Sequence, residues 1–402
     1  MSPPMTTPRV SLWFNVVLTV AMSSVGMMGF GALFPLLNLW VSDLGLSHTQ
    51  AGMLSGLWYL PGLVFSLPAG WMFDRYVAWR VLLPCWVLMI IGTAAMAFAP
   101  GFWILCAGRL IFSIGMTGYL VGAPKQISIW FEGRKGMGLA MGLYAMSAPI
   151  GIYASLNVLG RIGDAYGWRE AMYVMTGVTL IGTFLLIPIA SASKRETARG
   201  TAPTTRFNLF HVSRAAWLLG FGFFGYNIGT EAYLTFTPDY LVHRGYTLAA
   251  ASVMVGNYAY ASLFLKPVFS SFLKRVNVAL FVVVASALAI LSIAVLLIGG
   301  LSPNVPSILM GVSLALGMPA LYALPPFLFP PEESGKIFGM YQLFYSFGFF
   351  AQPLVGRAID TAGGYGSGYL VMVAYCLVGL FCILPFTRRR PEDSQPVRAE
   401  AS

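Results

Sequence analysis

The chain has 402 residues, of which 57% are hydrophobic, 14% aromatic and only 9% charged, with a formal net charge of +10. An ordinary soluble domain carries about 25% charged residues, so this composition excludes a soluble globular protein, and the aromatic content excludes disorder. The basic balance then reads as Lys/Arg-rich loops on one membrane face, not as a nucleic-acid surface.

A membrane-crossing helix needs roughly 20 apolar residues. Twelve such spans are expected, near residues 12–40, 50–72, 80–99, 103–127, 136–159, 169–190, 214–242, 248–272, 278–300, 304–328, 336–360 and 368–387. The runs are continuously apolar, whereas barrel strands alternate over about 10 residues, so an all-α membrane bundle is predicted. The polar stretch 191–213 divides the chain into a six-helix bundle over 1–190 and another over 214–387, with a tail over 388–402. Met1 to Arg9 is short and Pro/Thr-rich, and the first apolar run is too long for a signal-peptide core, so no cleavable signal is expected.

The basic residues set the orientation. With a cytoplasmic N-terminus, seventeen of the 24 Lys and Arg residues fall inside, among them Arg75, Lys194, Arg275 and Arg388. Only Arg161, Arg169, Arg244 and Arg357 fall outside, which puts both termini in the cytoplasm of a multi-pass cell-membrane protein. The two halves also echo each other. Gly160-Arg161-Ile162-Gly163-Asp164 matches Gly356-Arg357-Ala358-Ile359-Asp360, Gly45 and Ser47 match Gly245 and Thr247, and Glu132 matches Glu332. Matches at nearly one offset indicate a duplicated unit, with parallel repeats because each has an even number of helices.

In chain order, Ser47-His48-Thr49-Gln50 is a capping box opening the second span. At that span's far end lie Gly70, Asp74 and Arg75, where glycine permits close packing and the carboxylate suits an Arg or a helix N-terminus. Gly108-Arg109-Leu110 follows in the fourth span, with Gly115 and Gly118 beyond it. A guanidinium inside an apolar helix faces a cavity or a partner, or snorkels to the interface. Gly122-Ala123-Pro124-Lys125 leads to Trp130-Phe131-Glu132-Gly133-Arg134-Lys135-Gly136, and Gly167-Trp168-Arg169 opens the sixth span. Tyr144 and Ser147 add polar groups to the fifth.

Glu231, about mid-way along the seventh span, is the sharpest single residue, because a carboxylate at that depth is functional by default. Its alternative is a protonated carboxyl bonded to a neighbouring helix. Tyr226 and Asn227 precede it on the same helix. The eighth span carries Asn257, Tyr258 and Lys266, the tenth Tyr322, and the eleventh Tyr341, Gln342 and Tyr345. These line a cavity or serve helix packing.

Together these features resemble the major facilitator superfamily over nearly the whole chain. The segment Asp43 to Tyr76 is similar to its signature between the second and third spans, and the resemblance implies a cytoplasmic gate at Gly70, Asp74 and Arg75. Phe272-Leu273-Lys274-Arg275 lacks the matching Asp in the second half. Arg109 with Gly115 and Gly118 resembles the family's Arg-Gly pattern of the fourth span, with shifted glycines. The Pro-Lys, Trp-Phe and Gly-Trp-Arg landmarks resemble the nitrate/nitrite porter and cyanate permease branch, whose members carry small anions. Nitrate porters hold their anion with an Arg in the second span and another in the eighth. Here the second span has no internal basic residue and the eighth offers Lys266. Ala148-Pro149-Ile150-Gly151 resembles a degraded antiporter pattern, which keeps efflux open.

The resemblance implies twelve helices in two six-helix bundles and transport by alternating access. The expected cargo is a small organic or inorganic anion moved with protons, Glu231 being the proton-coupling group. Arg109, Lys266, Asn227, Tyr226, Asn257, Tyr258, Tyr341, Gln342 and Tyr144 are the expected substrate-binding set. Proton-driven efflux of an organic compound, a receptor and a membrane enzyme are the alternatives. No phosphate loop, metal-spaced His/Cys set or nucleophile motif occurs, so no cofactor is expected, and the other expected partner is the lipid bilayer around a monomer. Cys85, Cys106, Cys376 and Cys382 all lie in apolar runs and read as small core residues.

Overall fold

The computed structural model describes residues 9–131, 135–193, 213–272, 277–329, 331–361 and 364–388. Among them every regular element is helical. In chain order these are α1 (Arg9–Gly31), α2 (Leu33–Leu44), α3 (His48–Gly56), α4 (Leu60–Arg75), α5 (Ala78–Ala97), α6 (Phe102–Trp130), α7 (Met137–Ala145), α8 (Ser147–Ala154), α9 (Gly160–Tyr166) and α10 (Trp168–Ser193). They continue as α11 (Arg214–His243), α12 (Leu248–Phe272), α13 (Val278–Ile298), α14 (Asn304–Leu328), α15 (Pro331–Ser346), α16 (Gly348–Thr361) and α17 (Tyr365–Ile383). Helices occupy each of the twelve predicted spans, and the higher count arises because the first, second, fifth and eleventh are broken internally. Glu132 and nearly all of the predicted linker lie outside the described residues.

Eight stretches among the described residues are long and apolar enough to cross a membrane. Phe98, Trp103, Ile181, Phe184, Ile298 and Phe381 are each 61% exposed or more. Large apolar groups turned outward in this number suit a lipid surface.

The breaks have local causes. α1 ends at Gly31 and α2 restarts just before Pro35, whose ring removes a backbone donor. α3 and α4 are separated by the turn Leu57-Trp58-Tyr59 ahead of Pro61, and Trp58 N–H donates to Ser55 O at 3.2 Å. Between α8 and α9 a π-turn covers Ser155–Leu159, where Asn157 Nδ2 donates back to Tyr153 O at 3.1 Å. The predicted capping box is formed, with Ser47 Oγ accepting from Gln50 N–H and Gln50 Oε1 from Ser47 N–H.

The chain forms two compact units: residues 1–39 with 60–204, and residues 40–59 with 205–402. In the first, α5 and α6 pack backbone to backbone. A Cβ at Gly108 would stand 2.9 Å from Gly92 O and 2.8 Å from Met96 Cγ, so only glycine allows this crossing. Trp86 is fully buried there and donates to Thr179 O of α10 at 3.0 Å. In the second, α11, α13, α14 and α15 share a core of Phe223, Tyr226, Val282, Leu321, Met340 and Phe344.

Candidate functional site

Glu231 lies in α11, a 30-residue helix whose only other carboxylate is Asp239. Tyr345 donates its hydroxyl to Glu231 Oε2 at 3.1 Å. The Tyr59 hydroxyl lies close enough to the same carboxylate to interact with it, and Tyr258 lies within reach of its charge. The Tyr59 and Tyr345 rings meet edge to face at 4.8 Å. Gln352 Nε2 donates to the Tyr59 hydroxyl at 3.3 Å, and the Trp58 indole bonds to that of Tyr345.

Two helix breaks build this clasp. Trp58 and Tyr59 belong to the turn between α3 and α4, and Tyr345 stands in the last turn of α15, just before the break at Phe347. A Cβ at Gly348 would lie 2.6 Å from Ile228 Cδ1 and 2.8 Å from the Tyr59 ring, so the absence of a side chain there lets the ring reach the carboxylate. Discontinuous helices inside a membrane bundle place such interruptions at cavities.

The chemistry follows from the donor set. Phenol hydroxyls stabilise an ionised carboxylate without bringing a compensating positive charge. The site can therefore exchange one proton, and the charge it carries depends on that exchange. An anion near it is repelled by the carboxylate and tolerated by the carboxyl, a coupling that is strong at low dielectric.

The other predicted residues distribute unevenly. Tyr258 is buried on α12 within electrostatic reach of Glu231. Asn227 is one turn from Glu231, with its side-chain amide donating to Phe223 O at 2.8 Å. Tyr226 is fully buried and shares a 3.0 Å hydrogen bond with Ser313. Tyr341 stacks on Phe223 at 4.3 Å and donates to Leu321 O at 3.1 Å. Asn257 donates to Asn304 at 2.8 Å, and Gln342 is exposed. Lys266 is half-buried on α12, eight residues past Tyr258, or about 12 Å along the helix at 1.5 Å per residue. It is not part of the clasp.

In the first unit Arg109 is 1% exposed. Its Nη1 donates to Phe30 O at 2.9 Å and Gly29 O at 3.3 Å, and the guanidinium lies 5.4 Å from the Phe30 ring. These carbonyls belong to the last turn of α1, so Arg109 holds the break of the first span. Tyr144 is half-buried beside Ser23, which also faces Tyr119. Of the gate signature, Arg75 is exposed at the end of α4, while the surroundings of Gly70 and of the Asp74 side chain lie outside what is described.

Sequence reasoning missed Tyr59, Trp58 and Gln352. The signal available was Trp58-Tyr59 ahead of Pro61, a polar aromatic pair at a proline break inside a span. What joins that pair to Glu231, 172 positions away in the chain, is tertiary.

The family model of the Major Facilitator Superfamily matches residues 17–308 and 305–402. The chain is 24% identical over 392 residues to the probable nitrate transporter NarT of Staphylococcus aureus (strain JH9), covering 94% of this chain and 95% of that one. It is 27% identical over 222 residues to the hexuronate transporter of Bacillus subtilis (strain 168), a match that spans 53% of this chain and only 52% of that relative. Among solved structures, a bacterial homologue of the human lysosomal transporter Spinster, inward-facing and occupied, superposes with a TM-score of 0.77 at 15% identity over 97% of this chain and 100% of that one.

Proposed function

The chain belongs to the Major Facilitator Superfamily, and from that premise we propose that it is a proton-coupled secondary transporter of a small anion. The observation that carries this reading is the Glu231 carboxylate, bonded by Tyr345 and faced by Tyr59 within α11, the helix over the seventh predicted span. Substrate and proton share one electrostatic balance. Protonation of Glu231 removes a negative charge and makes room for the anion's, so the two travel together and the imposed pH gradient drives uptake. Lys266 supplies positive charge on α12, Arg109 braces the first span, and access alternates between the two membrane faces. Both termini face the cytoplasm in this reading. The names of two relatives, a nitrate and a hexuronate transporter, favour an anionic cargo.

The test uses the full chain in proteoliposomes, with labelled nitrate and labelled glucuronate as probes. Uptake of one of them rises when the outside is acidified. Glu231→Gln abolishes that dependence but retains exchange of external for internal anion, because the neutral side chain mimics the protonated state. Gradient-driven uptake that persists unchanged in Glu231→Gln, or failure of both anions to enter, overturns the proposal.

A further inference from the structure

A second cluster of titratable groups lies well away from Glu231, at the opposite end of the first span from the N-terminus. His48 begins α3, and both of its ring nitrogens face carboxylates. Nδ1 is 2.9 Å from Asp360 Oδ1 and Nε2 is 3.2 Å from Asp239 Oδ2. A neutral imidazole has one N–H, so two ionised acceptors call for the doubly protonated ring. Tyr365 donates its hydroxyl to Asp239 at 2.6 Å and stands 3.2 Å from His48 Nε2. Asp360 also caps α3, accepting from His48 N–H at 3.0 Å and from Thr49 N–H at 2.8 Å. The Asp239 side chain is 2% exposed and that of His48 is 21% exposed, so solvent reaches the histidine but hardly its deeper partner.

The surrounding architecture makes this a fastening. Residues 40–59 come from the first half of the sequence yet cluster with residues 205–402. They dock against α16 with almost no intervening side chain. A Cβ at Gly56 would be 2.8 Å from Phe349 O, one at Gly52 would be 2.8 Å from Pro353 Cα, and Gly356 lies directly against the His48 carbonyl. The docked seam is therefore close backbone packing at glycines, and the ionic contacts sit at its exposed end. The other titratable groups packed nearby are Tyr240 and His243, whose rings lie 5.4 and 5.3 Å from that of Tyr365.

We propose that His48, Asp239, Asp360 and Tyr365 form a second proton-binding site, and that the proton it takes latches the 45–59 segment onto α11 and α16. This rests on the transporter reading, in which the 45–48 turn faces away from the cytoplasm and meets external protons. Binding one there ties the docking of this segment to external pH. The hydrogen bond to Asp239, reinforced by Asp360, holds the His48 imidazolium to higher pH than usual despite its burial. The latch is thus fully present at low pH and lost as pH rises through that raised value.

The experiment reads undocking without requiring transport. Ser55 is 2% exposed beneath the seam. In a Ser55→Cys background, labelling of that position by a membrane-impermeant maleimide is followed by mass spectrometry from pH 5.5 to 9. Rates are normalised to the unfolded protein at each pH. Labelling is expected to rise with pH, by roughly tenfold for each unit by which docking raises the histidine's proton affinity. His48→Gln should give high labelling independent of pH, and His48→Lys, which keeps the charge, low labelling independent of pH. A pH profile in His48→Gln that parallels the parent, or equal labelling in the Gln and Lys variants, overturns the latch. Glu231→Gln touches the same segment through Tyr59 and shifts the level of labelling, but the rise with pH set by His48 should remain, so failure of the Glu231 mechanism is read separately.

Discussion

At the scale of single residues, two ionisable groups within the helices, Arg109 buried and Glu231 half-buried, meet opposite solutions. Glu231 accepts from the Tyr345 phenol, which brings no compensating positive charge. Arg109 is met by the carbonyls of Gly29 and Phe30, which hold a permanent charge in place. Both were legible as outliers in apolar helices, because an ionisable group in lipid is costly enough to demand a reason. Their partners were not legible, since neither phenols nor backbone carbonyls announce themselves by type. Both carbonyl bonds of Arg109 leave one nitrogen, so a Lys ammonium can reproduce them. Arg109→Lys is expected to keep most of the parent's stability. Arg109→Ala, which deletes those bonds and opens a cavity, should lose about 2–5 kcal/mol. Thermal unfolding of the purified protein in detergent measures both, and equal losses would remove the bracing role.

At the scale of elements, the interruptions matter more than the helices they interrupt. The breaks at Leu57–Tyr59 and Phe347 bring Trp58, Tyr59 and Tyr345 to Glu231, and a glycine at 348 lets them close. Gly348→Val pushes a side chain into the Tyr59 ring. The expected result is a folded protein whose proton-driven uptake is lost while its helix content by circular dichroism is unchanged. Uptake equal to the parent's would mean that the ring contact does not support the site. Prolines at 35 and 61 stand where the helices break, because a missing N–H and a clashing ring act locally. The capping box was legible for the same reason. The direction in which each broken half turns depends on what it packs against.

At the scale of the whole molecule, the chain passes between its two compact units three times, at residues 39–40, 59–60 and 204–205. A division by sequence alone falls at the linker, because composition changes there. The transfer of residues 40–59 has no compositional mark, being built from Gly52, Gly56 and Gly356 against backbone. Orientation is a matter of summed charge. With the termini cytoplasmic, a thiol added at either end should resist a membrane-impermeant reagent in intact cells and react after permeabilisation. One added at Thr247 should react without permeabilisation. Labelling of both ends in intact cells would reverse the assignment, and with it the side on which the His48 latch works.

Composition and long, continuous apolar runs determined that this protein is a helical membrane bundle with twelve spans, because burial of backbone polar groups in lipid permits little else. Motifs spread along the chain determined its superfamily, and the scarcity of charge singled out Arg109, Glu231 and Lys266. The tertiary structure alone decided what each charge faces. It joined Tyr59 to Glu231 and His48 to Asp239 and Asp360, pairs separated by 172, 191 and 312 positions. Such contacts depend on how helices cross and where glycine lets backbones touch, and local sequence carries no record of its distant partner.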